Sequence, residues 1–357
     1  MDFGQPRKLN VDRLFFCFLF FIPLSVFLFL VDASESALFV IAIISLMPLA
    51  HFIGKATESI SLLTNPTMGG FVNATFGNII ELIIALFAIN AGLIDVVRAS
   101  IIGSIISNLL LLIGLSMFFG GLRFKEQIFN TQAAGVSSTM LIIAVVGLSI
   151  PTLYTATHEN VVIQPLSDIV SVILALIYIL GLVFSFSTHK HLFDPVEEFH
   201  RHHVKIYYSA KTALVVLLVS LFAVIFESKL LVNSIEHASV TLGLSKLFIG
   251  VVIIPIITNI AEKIAAITMA IKNHIDLSIE IGTSSAIQIA LFVTPLLVLF
   301  SQFLNTSFTL VFPIFKLITM LFAVMIVNYL SSDGRCNWLE GAQLITVYLI
   351  IAITFYF

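Results

Sequence analysis

Residues 69–92 read GGFVNATFGNIIELIIALFAINAG, and residues 256–273 read IITNIAEKIAAITMAIKN. At a constant offset of 181 residues, as from Asn78 to Asn259, Ile79 falls on Ile260, Glu81 on Glu262 and Ala85 on Ala266. The register continues through Asp95 and Asp276, Ser104 and Ser285, and Ser107 and Gln288, so that residues 70–120 recur as 251–301. Each copy sets one carboxylate, preceded at i−3 by an Asn, deep inside an apolar run. A carboxylate so placed costs several kcal/mol unless it lines water, binds an ion or carries a proton.

The rest of the chain says what medium those runs occupy. Of 357 residues, 59% are hydrophobic and 10% charged, and the mean hydropathy is +1.11. An average soluble domain carries roughly 25% charged residues. So few charges cannot cover a surface in water, which excludes a cytosolic enzyme, a disordered chain and a secreted disulfide scaffold. A net charge of −3 leaves no basic surface for nucleic acid, and two cysteines, Cys17 and Cys336, support neither a disulfide framework nor a thiolate metal cluster. No nucleotide loop, nucleophile constellation or metal-hydrolase signature points to an enzyme.

The expected class is an all-α polytopic membrane protein with eleven spans, at about 14–31, 37–62, 69–91, 96–119, 134–154, 161–186, 206–227, 239–271, 276–302, 306–330 and 339–357. The runs are continuous rather than alternating, which favours helices over a β-barrel. The organisation predicted is an N-terminal region with the first helix (1–33), a five-helix repeat (34–186), a linker (187–205) and a second five-helix repeat (206–357). An odd number of spans per repeat inverts the second copy relative to the first, the arrangement that serves alternating access. The first run is longer than a signal-peptide core and is read as a retained helix. Twelve Lys and Arg fall on the side of the N-terminus and three, Arg98, Lys229 and Lys246, on the other. By the positive-inside rule the N-terminus is cytoplasmic and the C-terminus outside.

The residue types around the two carboxylates suit a hard divalent cation. Asn78 and Glu81, like Asn259 and Glu262, share a helix face, and two such pairs offer carboxylate and amide oxygens of the kind Ca2+ takes. No thiolate is present to favour a softer metal. Gly77 and Pro255 are expected to interrupt their helices and free carbonyl groups for the ion path. The following spans add Ser104, Ser107 and Asn108 in one copy and Thr283, Ser284, Ser285 and Gln288 in the other. An ion-free carboxylate pair takes up protons because like charges oppose joint ionisation, so cation and proton exclude each other at one site. That exclusion makes an antiporter. No prosthetic group is called for; Ca2+ is cargo and H+ the counter-ion. Exchange of Mn2+, Mg2+ or Cd2+, coupling to Na+, and a cation channel are the competing readings.

Outside the repeat, the linker carries Asp194, Glu197, Glu198, His200, His202 and His203, a charged connector that also offers pH- or metal-responsive groups. His51, Lys55 and Glu58 form one face of the second span, Lys316 lies within the tenth with no evident sequence partner, and Glu227 is placed near an interface.

The strings GGFVNATFGNIIELIIALFAINAG, GSIISNLLLLIG, IITNIAEKIAAITMAIKN and GTSSAIQIALFVTPLLVLF resemble the two signature repeats of the Ca2+/H+ antiporter (cation/proton exchanger) family of the calcium/cation antiporter superfamily. The resemblance covers the whole chain. It implies one N-terminal helix plus two inverted five-helix units, and Ca2+ export from the cytosol driven by protons. It implies that Glu81 and Glu262 hold the ion and the protons, with Asn78 and Asn259 in support and Ser104, Asn108, Ser285 and Gln288 along the pathway. One position departs: the family often has His after the second glutamate, where this chain has Lys263. An ammonium there would either pair with Glu262 and compete with the cation or, since one helical residue turns about 100°, face another side; the second is expected. The absence of a long acidic run and of a long N-terminal extension fits a prokaryotic cell membrane, with a vacuolar membrane as the alternative. Oligomeric state is left open.

Overall fold

A computed structural model describes residues 11–64, 69, 72–73, 75–158, 162–192, 206–304 and 306–357, and most of these are helical. The first span is made of α1 (Val11–Phe18) and α2 (Phe21–Leu30), followed by α3 (Glu35–Leu63), α4 (Ile79–Asn90), α5 (Ile94–Arg123), α6 (Thr131–Thr157) and α7 (Gln164–Thr188). The second half contains α8 (Ala210–Thr241), α9 (Lys246–Thr258), α10 (Ile260–Ile271), α11 (Ile275–Ser301), α12 (Ile314–Leu330) and α13 (Trp338–Tyr356). A two-residue ladder joins β1 (Gln127–Ile128) antiparallel to β2 (Arg335–Cys336), tying the α5–α6 connection to the α12–α13 connection.

Among the described residues, eight helices are long and apolar enough to cross a membrane. The α9–α10 pair, bent by 59°, makes a ninth, and α4 and α12 are shorter apolar helices of 12 and 17 residues. Each of the eleven segments read from hydropathy contains one of these elements, which is compatible with eleven spans. Polar residues mark the starts: Ser34, Asn130, Ser209 and Ser245 each accept a first-turn N–H, and Asn337 and Glu340 form a reciprocal capping box.

The repeat is written into the backbone. The helices that carry the paired carboxylates start at Ile79 and Ile260 and end at Asn90 and Ile271, and the helices after them start at Ile94 and Ile275. Between them, Gly92 and Asn273 occupy equivalent turns with φ of 76° and 68°. α5 and α11 each contain a π-helical stretch, Ser107–Leu112 and Ile289–Val293. These two equivalent helices are the most buried of the eight long ones, whereas α7 turns Ile169, Ile173, Leu176 and Leu180 outward. Outward aliphatic rows of that kind suit lipid. α5 meets α9 so closely that a Cβ at Gly103 would collide with the Val251 backbone, and one at Gly250 with Ala99 and the Val96 carbonyl. The long helices α3 and α8 lie along each other, and α1 and α2 pack on α3.

Three stretches differ from the hydropathy reading. Residues 228–238 are not a loop: α8 runs unbroken to Thr241. A hydropathy window sums its polar residues although they fall on one side: Lys229, Asn233, Glu236 and His237 are exposed while Leu230, Leu231, Ser234, Ile235 and Ala238 are buried. Glu227 is therefore mid-helix, fully buried and bonded to Ser25 Oγ of α2 at 2.5 Å, rather than interfacial. The tenth segment is helical only from Ile314, after Pro313. Before it, Phe308, Leu310 and Phe312 are buried in extended chain, with their N–H groups bonded to Ser301 Oγ (2.8 Å), Ser167 Oγ (3.1 Å) and Thr152 Oγ1 (2.9 Å). Non-helical backbone survives at such depth only when protein groups satisfy it. The third segment is interrupted at Gly77–Asn78. The linker residues Asp194, Glu197, Glu198, His200, His202 and His203 lie outside the described residues.

Candidate ion-binding site

The Asn-x-x-Glu spacing has a sharper local meaning than a shared helix face. Asn78 and Asn259 are the N-cap residues of α4 and α10, with nearly the same non-helical backbone (φ −111°, ψ 27° and φ −101°, ψ 20°). Glu81 and Glu262 consequently sit in the first turn of their helices, beside the N–H groups that have no helical partner. The positive end of the helix dipole favours negative charge there. Neither Asn side chain caps its own helix. Both are released for longer-range contacts.

Those contacts cross between repeats. Asn78 Nδ2 donates to Gln288 Oε1 at 2.7 Å, Ser285 Oγ donates to Asn78 Oδ1 at 3.4 Å, and Asn108 Nδ2 donates to Ser285 Oγ at 2.8 Å. Gly77 lies alongside, where a Cβ would stand 3.3 Å from Gln288 Oε1. Glu81 has Thr258, Asn259 and Lys263 of the second repeat as its polar neighbours, and Glu262 has Glu81, Lys263 and Ser285. Asn78, Asn259, Ser104, Asn108 and Ser285 are all buried, as is Glu81 at 7% exposure. Thr258, also buried, stands at Gly77's place in the repeat and opens the TNIAE string, and as a lone threonine in an apolar run it carries no sequence signal of its own.

At the second break, Asn259 N–H bonds to Ile257 O, which leaves the Pro255 carbonyl without its usual helical donor. Two side chains take that place: Asn259 Nδ2 at 3.3 Å and Lys263 Nζ at 3.2 Å. Lys263 forms no ion pair within 4.0 Å of either glutamate among the described residues, yet it is 3% exposed and faces the site instead of turning away from it.

Several oxygens here have no hydrogen-bond partner among the described residues: Glu81 Oε1, Glu262 Oε2, Asn108 Oδ1, Ser104 Oγ and Ser107 Oγ. Buried orphans of this kind call for water, a proton or an ion. The donor set is all oxygen, from carboxylate, amide, hydroxyl and carbonyl groups, which is hard-cation chemistry. Among the described residues no cluster of three or more His, Cys, Asp or Glu competes with it.

Other charges have structural partners. Lys316 Nζ donates to the Asp95 carbonyl at 3.4 Å, holding the start of α5. Asp12 of α1 pairs with both His51 and Lys55 of α3, and Phe15 stacks on His51 at 4.3 Å. Asp168 accepts from Gln164 at 2.8 Å.

Two repeat-related halves, each bringing one first-turn carboxylate to a shared polar centre inside the bundle, are the marks of an ion-exchanger fold, and the comparisons agree. The family described as "Sodium/calcium exchanger protein" matches residues 34–187 and 212–357, and the chain belongs to that family. It is 41% identical to a Ca(2+)/H(+) antiporter of Aphanothece halophytica, over 98% of both chains. It is 41% identical to the Ca(2+)/H(+) antiporter ChaA of Bacillus subtilis (strain 168), covering 94% of this chain and 96% of that one. The solved structure of native YfkE superposes with a TM-score of 0.83 at 38% identity, over 96% of this chain and 99% of the other.

Proposed function

We propose that this protein is a secondary antiporter that exports Ca2+ from the cytosol in exchange for H+, by alternating access of one site between two inverted repeats. The observation that carries the reading is the pair of repeat-equivalent carboxylates, Glu81 and Glu262, meeting with unpartnered oxygens inside the bundle. Near-full-length relatives that bear the name Ca(2+)/H(+) antiporter support the cargo.

In the exporting half-cycle, Glu81 and Glu262 hold Ca2+, whose two charges they balance. Asn78 and Asn259 supply amide oxygens, while Ser285 and Gln288 orient Asn78 and Asn108 positions Ser285. When the site opens to the acidic side, protons replace the ion on the same oxygens, and the neutralised pair returns. A charged, ion-free pair is kept from crossing by the cost of carrying incompletely neutralised carboxylates away from water. The helix breaks at Asn78 and Asn259 let short half-helices tilt without tearing long hydrogen-bond ladders.

The Lys and Arg asymmetry of the sequence supports a cytoplasmic N-terminus and an outward C-terminus. Reconstituted liposomes with an imposed pH gradient, clamped potential and no Na+ should take up 45Ca2+. Glu81→Gln and Glu262→Gln should each abolish uptake. Flux that persists in both variants, or that requires Na+, would sink the mechanism.

A further inference from the structure

The first repeat has Leu82 where the second has Lys263, on backbones that are otherwise the same: Leu82 N–H bonds to Asn78 O at 3.2 Å and Lys263 N–H to Asn259 O at 3.1 Å. One copy therefore places a cation at the centre and the other does not. The ammonium is buried, lies near both Glu81 and Glu262 without pairing to either within 4.0 Å, and is bonded to the Pro255 carbonyl that the α9–α10 break sets free. A carbonyl exposed by a broken helix is the kind of oxygen that completes a divalent-cation shell.

We propose that Lys263 is a tethered cation that occupies the Pro255 carbonyl when Ca2+ is away and is displaced from it when Ca2+ binds, so that it sets the affinity and release rate of the exchanger. The inference rests on Ca2+ being the cargo. An ammonium close to a divalent ion repels it, and a carbonyl held by Nζ is one ligand fewer, so both effects weaken the bound state. The ion-free site loses less, because Lys263 partly compensates its carboxylates and satisfies the carbonyl. A loosely held ion leaves quickly, which favours turnover over tight binding. A purely structural lysine would satisfy the carbonyl and have no influence on Ca2+.

The test compares equilibrium 45Ca2+ binding and liposome exchange for wild type, Lys263→Gln, Lys263→Met and Lys263→Arg. Gln keeps a donor for the carbonyl without charge, Met keeps length without either, and Arg keeps the charge. The expected result is a Kd for Ca2+ at least tenfold lower in the Gln and Met variants and within about threefold of wild type in Arg, with KM and maximal exchange rate falling together in Gln. A Ca2+-bound wild-type structure, which needs no variant to fold, should show Nζ beyond hydrogen-bond reach of Pro255 O. Unchanged or weaker binding in a Lys263→Gln protein that melts like wild type overturns the proposal, and so does Nζ remaining on the carbonyl with Ca2+ bound. Wild type that binds no Ca2+ at all overturns the cargo reading first and this inference with it.

Discussion

Asn78, the N-cap of α4, gives its side-chain amide to Gln288 of α11 at 2.7 Å instead of capping its own helix. The bond joins the first repeat's carboxylate helix to the second repeat's most buried span, 210 residues away. Its energy is therefore spent on holding the two halves of the site together.

Removing either end should lower Ca2+ affinity, and removing Asn78 should lower it more, because a ligand oxygen goes with the contact. Gln288→Ala is expected to weaken Ca2+ binding by about tenfold and Asn78→Ala by more, with the double variant little weaker than Asn78→Ala alone, because Gln288 acts through Asn78. A double-mutant cycle on 45Ca2+ binding measures this. Full additivity would show the contact to be energetically idle.

Protons and Ca2+ share the Glu81 and Glu262 oxygens, so acid must raise the Ca2+ concentration needed for half-saturation. The expected slope is up to tenfold per pH unit for each competing proton. As pH falls, protonated carboxylates lose the ion; as pH rises, affinity climbs and then levels. Binding isotherms between pH 6 and 8 report the slope, and it should be shallower in Glu262→Gln to the extent that any binding remains.

The extended chain before α12 depends on hydroxyl acceptors from three other places. Thr152→Val leaves the buried Phe312 N–H without its 2.9 Å bond, and Ser167→Ala does the same for Leu310. Each should destabilise the protein by about 1–3 kcal/mol with little change in Ca2+ affinity. Thermal melting in detergent, followed by binding, separates the two effects.

Two glycines should respond in opposite ways. Gly103→Val forces a side chain into the Val251 backbone, and overpacking of that kind costs about 1–3 kcal/mol or more. Gly54, within α3, has nothing within 4 Å of a would-be Cβ, so Gly54→Ala should leave stability unchanged or raise it by up to about 1 kcal/mol. Melting temperatures decide both.

How legible the site was in the chain varies with the residue. Glu81 and Glu262 could be read because a charge in an apolar run is costly and two at one repeat position are not accidental. Thr258 could not, since a threonine in a membrane helix usually bonds its own carbonyl, as Thr258 also does to Ile254 at 3.0 Å. Lys263 was expected to turn away from the site by the angular step of a regular helix; the break at Asn259 instead left a carbonyl for it to reach back to. The continuation of α8 beyond Glu227 was hidden because hydropathy sums a window without asking which face each charge occupies.

By itself the sequence determined the medium, the all-helical class, the two-fold repetition and the two carboxylates, since these follow from composition, run length and a constant offset. Only the tertiary structure decided which oxygens meet. The Asn78–Gln288 and Asn108–Ser285 bonds, the seat of Lys263 on Pro255 and the hydroxyls that satisfy Leu310 and Phe312 join residues far apart in the chain or across a helix break. Such contacts arise from packing two repeats against each other, and no periodicity along one chain specifies them.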